Sequence, residues 1–163
     1  MKLNLYAVPP LASAVLFLLV GGFVWLKNRK SKVNTLFLAL CLATFVWQCS
    51  WSVLFSLTDH TWVFPLIQFT YSAIIFLPIL IYHFTAAFLG VDARERSRLK
   101  VAYFVGLIFL ATIYTPPYLI DGHYDYYFGP YPKANPYVHL PYLAFLSVVL
   151  GWTTYLLAAS VFD

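Results

Sequence analysis

Charge is what this sequence has least of. Only 10% of its 163 residues are Asp, Glu, Lys or Arg, while 62% are hydrophobic. Soluble globular chains carry about 25% charged residues, so an ordinary soluble domain is excluded. Cysteine is nearly absent: Cys41 and Cys49 stand eight residues apart in one apolar run. As a helix, that spacing is about 12 Å, beyond the ~7 Å that a disulfide can bridge, so both are expected as free, packing thiols. Acidic side chains are the scarcest charges, 6 Asp and Glu against 10 Lys and Arg. None falls inside an apolar run as drawn below. This argues against a proton relay, an ion pump or an intramembrane aspartyl protease, which need ionisable groups within the membrane. HExxH, GxSxG and phosphate-loop motifs are also missing, so the chain is read as no enzyme. It lacks a convincing internal repeat, which disfavours a transporter. The first apolar run is expected as a retained span rather than a cleavable signal peptide, because the strong basic flank follows it rather than preceding it.

What is present is a series of long apolar runs. Five of them, at about 6–26, 33–57, 62–89, 101–115 and 140–159, are candidate membrane spans, since about 20 apolar residues cross a bilayer. Residues 1–5 form a short amphipathic lead-in. The expected fold is all-α: a single polytopic transmembrane helical bundle of about five spans over residues 1–163. Lys27–Lys32 holds four basic residues, and Arg94, Arg96, Arg98 and Lys100 make a second group of four. Only Lys2 and Lys133 lie on the opposite side. The positive-inside rule then puts the N-terminus outside and the end of the fifth span inside. The first basic group is mainly an orientation signal, with a dedicated anionic-lipid site as the sharper alternative. Gly21 and Gly22 would let another helix approach closely.

Polar residues recur on helical faces. Thr44, Gln48 and Ser52 repeat every four residues in the second span, flanked by Trp47 and Trp51. Gln68, Tyr71, Ile75, Pro78 and Tyr82 follow helical spacing in the third. Such stripes face protein or water rather than lipid. They are either interhelical glue or the walls of a ligand pocket, and Gln48 could meet Gln68 across spans two and three. Pro78 should kink its helix. His83 is read first as a packing residue, with a proton or ligand sensor as the alternative. Haem would need a second intramembrane histidine, and His60, His123 and His139 map to outer loops or their edges. The candidate ligand or interhelical contacts are therefore Gln48, Trp51, Gln68, Tyr71, Pro78, Tyr82 and His83.

Residues 116–139 are an outer aromatic loop with six tyrosines. They form either an interfacial belt or a lid over an outward-facing pocket, with Tyr126, Tyr127 and Tyr131 as the lid or interface residues. Asp121-Gly122 is a turn signal that could join Tyr118-Leu119-Ile120 to Tyr124–Phe128 as a hairpin. Asp121, His123 and Asp125 alternate as metal ligands on a strand would, but that turn would disrupt them. No metal and no cofactor is expected.

Several short motifs carry a resemblance. A basic loop runs into Asn34 and Phe37, with Trp47 further on. Phe76-Leu77-Pro78-Ile79-Leu80-Ile81-Tyr82-His83-Phe84 precedes Phe88-Leu89. Phe128-Gly129-Pro130-Tyr131-Pro132 continues to Pro136-Tyr137. In these the chain resembles, over about residues 1–158, the N-terminal seven-helix membrane region of bacterial sensor histidine kinases. The resemblance implies a non-catalytic signal-input domain in the bacterial inner (cytoplasmic) membrane, multi-pass, and it brings no catalytic residues. The chain departs from that pattern with five spans rather than seven and no kinase after them. It is either a piece of a longer protein or a free-standing relative. The competing reading is a structural or accessory subunit of a larger bacterial membrane complex. The expected partners are the lipid bilayer, other membrane subunits or a homodimer partner, and a small apolar ligand bound between spans two and three. Nucleic acid is not expected.

Overall fold

The computed structural model describes residues 4–162. Residues 1–3 of the amphipathic lead-in, Lys2 among them, and Asp163 lie outside the described residues. Five long helices follow one another: α1 (Val8–Lys27), α2 (Lys32–Ser56), α3 (Val63–Phe88), α4 (Asp92–Tyr114) and α5 (Pro136–Phe162). Each is long and apolar enough to span a membrane, and together they make the expected polytopic bundle. Short 3-10 turns, Leu5–Ala7 and His60–Trp62, lead into α1 and α3. Between α4 and α5 lies an antiparallel hairpin of β1 (Ile120–Tyr126) and β2 (Gly129–Ala134). The hairpin caps one end of the bundle, and the basic clusters mark the other.

Local chemistry sets the helix starts. Pro9 and Pro10 occupy the first turn of α1, where amide donors are spare. Ser31 caps α2, accepting from the Asn34 amide at 3.3 Å. The Asn34 side chain then donates to the carbonyls of Val24 (3.0 Å) and Asn28 (3.3 Å), which clamps the α1–α2 connection. Asp59 accepts the Thr61 amide at 2.9 Å. That bond holds the Asp59 carboxyl below its ordinary range and fixes the turn into α3. Asn135 accepts from the Tyr137 amide at 3.1 Å, with Pro136 at the first helical position.

Two expectations need correction. The helix that carries the fourth apolar run begins not at 101 but at Asp92, nine residues earlier. Ala93–Lys100 is charged, yet it is made of good helix formers. Asp92 and Glu95 also lie in its first turn, where acidic groups suit the helix dipole. Residues 116–139 do hold a hairpin, but it does not turn at Asp121-Gly122 as expected. It turns at Tyr127-Phe128, because Tyr126 pairs with Gly129, while Gly122 carries only a register shift within β1. Aromatic turn residues hide this turn from sequence rules; packing holds it. Phe128 stands 5.7 Å from Phe55 and 6.3 Å from Tyr6 between ring centroids. The Asn4 amide donates to the carbonyls of both Phe55 (2.7 Å) and Phe128 (2.8 Å). Gly129 has φ +133°, and an added Cβ would lie 3.1 Å from the Phe55 Cα, so only glycine fits there. Leu119 and Ile120, both fully buried, root the hairpin in the bundle.

Candidate functional site

At the basic end, one acidic side chain joins three helices. Glu95 of α4 is only 1% exposed. Tyr82 of α3 donates its hydroxyl to Glu95 Oε2 at 2.8 Å, and Trp152 Nε1 of α5 donates to the same oxygen at 3.0 Å. Arg98 Nη1 reaches both carboxylate oxygens, at 2.9 and 3.0 Å. The Arg98 guanidinium also lies 4.5 Å from the Trp152 ring centroid. Ala86, Leu99, Ala102, Val149 and Leu156 pack around the group. Removing a carboxylate from water costs several kcal/mol, which is tolerable only when its lone pairs are filled. Glu95 lies in the charged first turns of α4, ahead of the apolar run drawn from 101, yet it is buried against the bundle.

Beside this cluster, His83 Nδ1 lies 3.1 Å from the Tyr103 hydroxyl. Lys32 pairs with Asp92, linking the starts of α2 and α4. A groove of about 700 Å³ there is lined by Lys32, His83, Arg96, Lys100, Phe104 and Leu107 among others. A second groove of about 700 Å³ runs between α4 and α5, with Tyr82, Arg98 and Trp152 on its wall.

The hairpin end carries a second, aromatic cluster. Trp51 of α2 lies 5.5 Å from Tyr131 of β2. Tyr126 stacks on Phe128 at 5.2 Å and meets Tyr131 at 6.1 Å. Tyr127 at the tip is 85% exposed. Deeper in, Tyr71 of α3 faces His139 of α5 at 6.4 Å, and His139 faces Tyr142 at 5.7 Å. The Tyr142 hydroxyl and His139 Nδ1 are buried and have no hydrogen-bond partner among the described residues. Gln68 does not pair with Gln48. It donates to the Ile113 carbonyl of α4 at 2.6 Å, while Gln48 is half-buried. Ser52, from the same stripe as Gln48, donates to the Ala7 carbonyl at 2.8 Å and so serves α1. Pro78 is buried within α3, between Tyr71 and Tyr82 in sequence.

The nominated residues therefore divide between two clusters. Trp51, Gln68, Tyr71, Tyr126 and Tyr131 lie toward the hairpin, and Tyr82 and His83 toward the basic end. Sequence reasoning missed Glu95, Arg98, Trp152, His139 and Tyr142. The one available signal was Asp92, Glu95 and Arg98 at helical spacing.

The unpaired Tyr142 hydroxyl gives a direct test. An unsatisfied buried polar group costs stability, whereas its removal does not. Tyr142→Phe should leave the melting temperature unchanged or raise stability by about 1 kcal/mol. A clear loss in thermal denaturation would mean that the hydroxyl is already paired.

The sequence matches the family described as the N-terminal 7TM region of histidine kinase over residues 9–162. Neither curated proteins nor solved structures gave a match.

Proposed function

The chain belongs to the N-terminal 7TM region of histidine kinases, and from that membership we propose that it receives a signal at its hairpin end and passes it to its basic end. By the positive-inside rule the basic end faces the cytoplasm. The ligand is a small apolar or amphipathic molecule. It enters beneath the hairpin, beside Trp51 and Tyr71, where a polar group on it would pair with the Tyr142 hydroxyl and His139 Nδ1. Binding one packing of α3 and α5 better than another shifts their populations. Pro78 is the pivot through which α3 carries the change.

The observation that carries this reading is the buried Glu95, held at once by Tyr82 of α3 and Trp152 of α5. A buried carboxylate is a poor source of net stability, and its best attested use is to set one arrangement against others. Relative motion of α3 and α5 must lengthen one of its bonds. On this reading the cluster is the element whose two arrangements carry the signal.

The first experiment is extraction of the native protein into nanodiscs, followed by intact mass and identification of bound chains. An input domain should appear within, or in fixed stoichiometry with, a polypeptide that carries a kinase. Recovery in a large complex that holds no kinase would replace this reading with that of an accessory subunit.

A further inference from the structure

We propose that His60, His123 and Asp125 form a binding site for a divalent transition-metal ion at the hairpin end of the molecule. The three residues come from two separate elements. His60 opens the turn between α2 and α3, and His123 and Asp125 lie on β1. One ligand atom from each falls within 4.8 Å of the other two. The two imidazoles converge on the same carboxylate oxygen: His60 Nδ1 is 3.9 Å and His123 Nε2 is 3.7 Å from Asp125 Oδ1.

Those distances are informative. Both exceed the ~3.2 Å reach of an ordinary hydrogen bond. Around a tetrahedral ion with bonds of about 2.0–2.1 Å, ligand atoms stand roughly 3.4 Å apart. The spacing to the carboxylate is therefore nearer to that of ligands sharing an ion than to that of a direct histidine–aspartate bond. The rings lie 26° from parallel with centroids 5.9 Å apart, so both must turn out of this stack for their in-plane nitrogens to meet one ion. His60 and Asp125 are exposed and His123 is partly so, which leaves the site open to water. Asp121 is not part of it, since its carboxylate accepts from Asn135 Nδ2 at 3.2 Å.

Donor type selects the ion. Two imidazoles and one carboxylate suit Zn²⁺, Cu²⁺ or Ni²⁺, whereas Mg²⁺ and Ca²⁺ prefer an all-oxygen shell. Three protein ligands leave a fourth position for water. A bound ion would fasten the hairpin to the α2–α3 turn and so restrain Tyr131 over Trp51. Ion binding itself does not depend on the chain being a signal receiver.

The test uses the untagged full chain in nanodiscs, titrated with Zn²⁺ by calorimetry and with Co²⁺ by visible absorption. One ion per chain is expected. His60→Ala and His123→Ala should each weaken binding at least about tenfold, while Asp121→Asn, on the same strand but outside the cluster, should leave it unchanged. Absence of stoichiometric uptake by the unaltered chain would overturn the site. So would His60→Ala and His123→Ala variants that bind as tightly as the unaltered chain.

Discussion

Glu95→Ala should lower the melting temperature of the protein in nanodiscs by on the order of 10 °C, equivalent to roughly 3 kcal/mol for a chain of this size. The loss comes less from a missing attraction than from what remains. The substitution strips the Tyr82 hydroxyl, the Trp152 indole N–H and Arg98 of their common acceptor, and buried donors without acceptors are costly. Glu95→Gln keeps a carbonyl oxygen for Tyr82 and Trp152 and should lose about half as much. Arg98→Ala should cost less, about 1 kcal/mol, because Glu95 keeps its bonds from Tyr82 and Trp152 and has Arg94 Nε 3.5 Å away as a remaining cation. That ranking, Ala worse than Gln and both worse than the arginine variant, is the signature of a buried acceptor. Equal effects from Glu95→Ala and Arg98→Ala would instead indicate a simple surface ion pair.

The second large effect lies on the other side of the bundle. Gly21→Leu should open the α1–α2 contact and expose Cys41 to a thiol reagent. A Cβ added at Gly21 would stand 2.5 Å from the Cys41 Cβ and 3.1 Å from its Sγ. The Cys41 Cβ is fixed to the backbone and cannot swing away, so a helix must move. Overpacking of this kind costs about 1–3 kcal/mol, and more for a branched side chain. Ala14, two turns before Gly21, is fully buried on α1 as well, so small residues let these helices approach along their length. Gly22 meets nothing within 4 Å, and Gly22→Leu should be harmless. Labelling is read in a Cys49→Ser background, with the Gly21 form protected and the Gly21→Leu form reactive. Continued protection in the Gly21→Leu form would contradict the close packing.

The same pair of glycines shows how much was legible in the sequence. Composition and run length give five spans, because long apolar stretches have few other uses. The prediction that two adjacent glycines ease a helix contact holds for only one of them, since facing is set by rotation about the helix axis and not by composition. The start of α4 is hidden because Ala93–Lys100 is charged, and a charged run beside an apolar one resembles a connecting segment. Helix propensity and the acidic first turn carried the opposite message. With that start misplaced, Glu95 was lost as well, although its helical spacing to Asp92 and Arg98 was visible. Its partners Tyr82 and Trp152 are 13 and 57 residues away, and no local pattern joins them. The hairpin tip at Tyr127-Phe128 was illegible for a similar reason: Phe55, Tyr6 and Asn4, distant in sequence, stabilise what turn chemistry alone would not. The gathering of His60 with His123 and Asp125 depends on that hairpin register and could not precede it.

The measurement that tests the account most directly places 5-fluorotryptophan in the chain and follows the Trp152 ¹⁹F resonance in nanodiscs, assigned through Trp152→Phe. The spectrum is compared between the natural chain and Tyr131→Ala, which alters only the hairpin end. Two linked clusters predict that loss of Tyr131 changes the populations or the position of the Trp152 signal, because packing at Trp51 biases the arrangement of α3 and α5 around Glu95. An identical Trp152 resonance in the two proteins, with the resonance of Trp51 visibly changed, would show that the ends are uncoupled and would contradict the account.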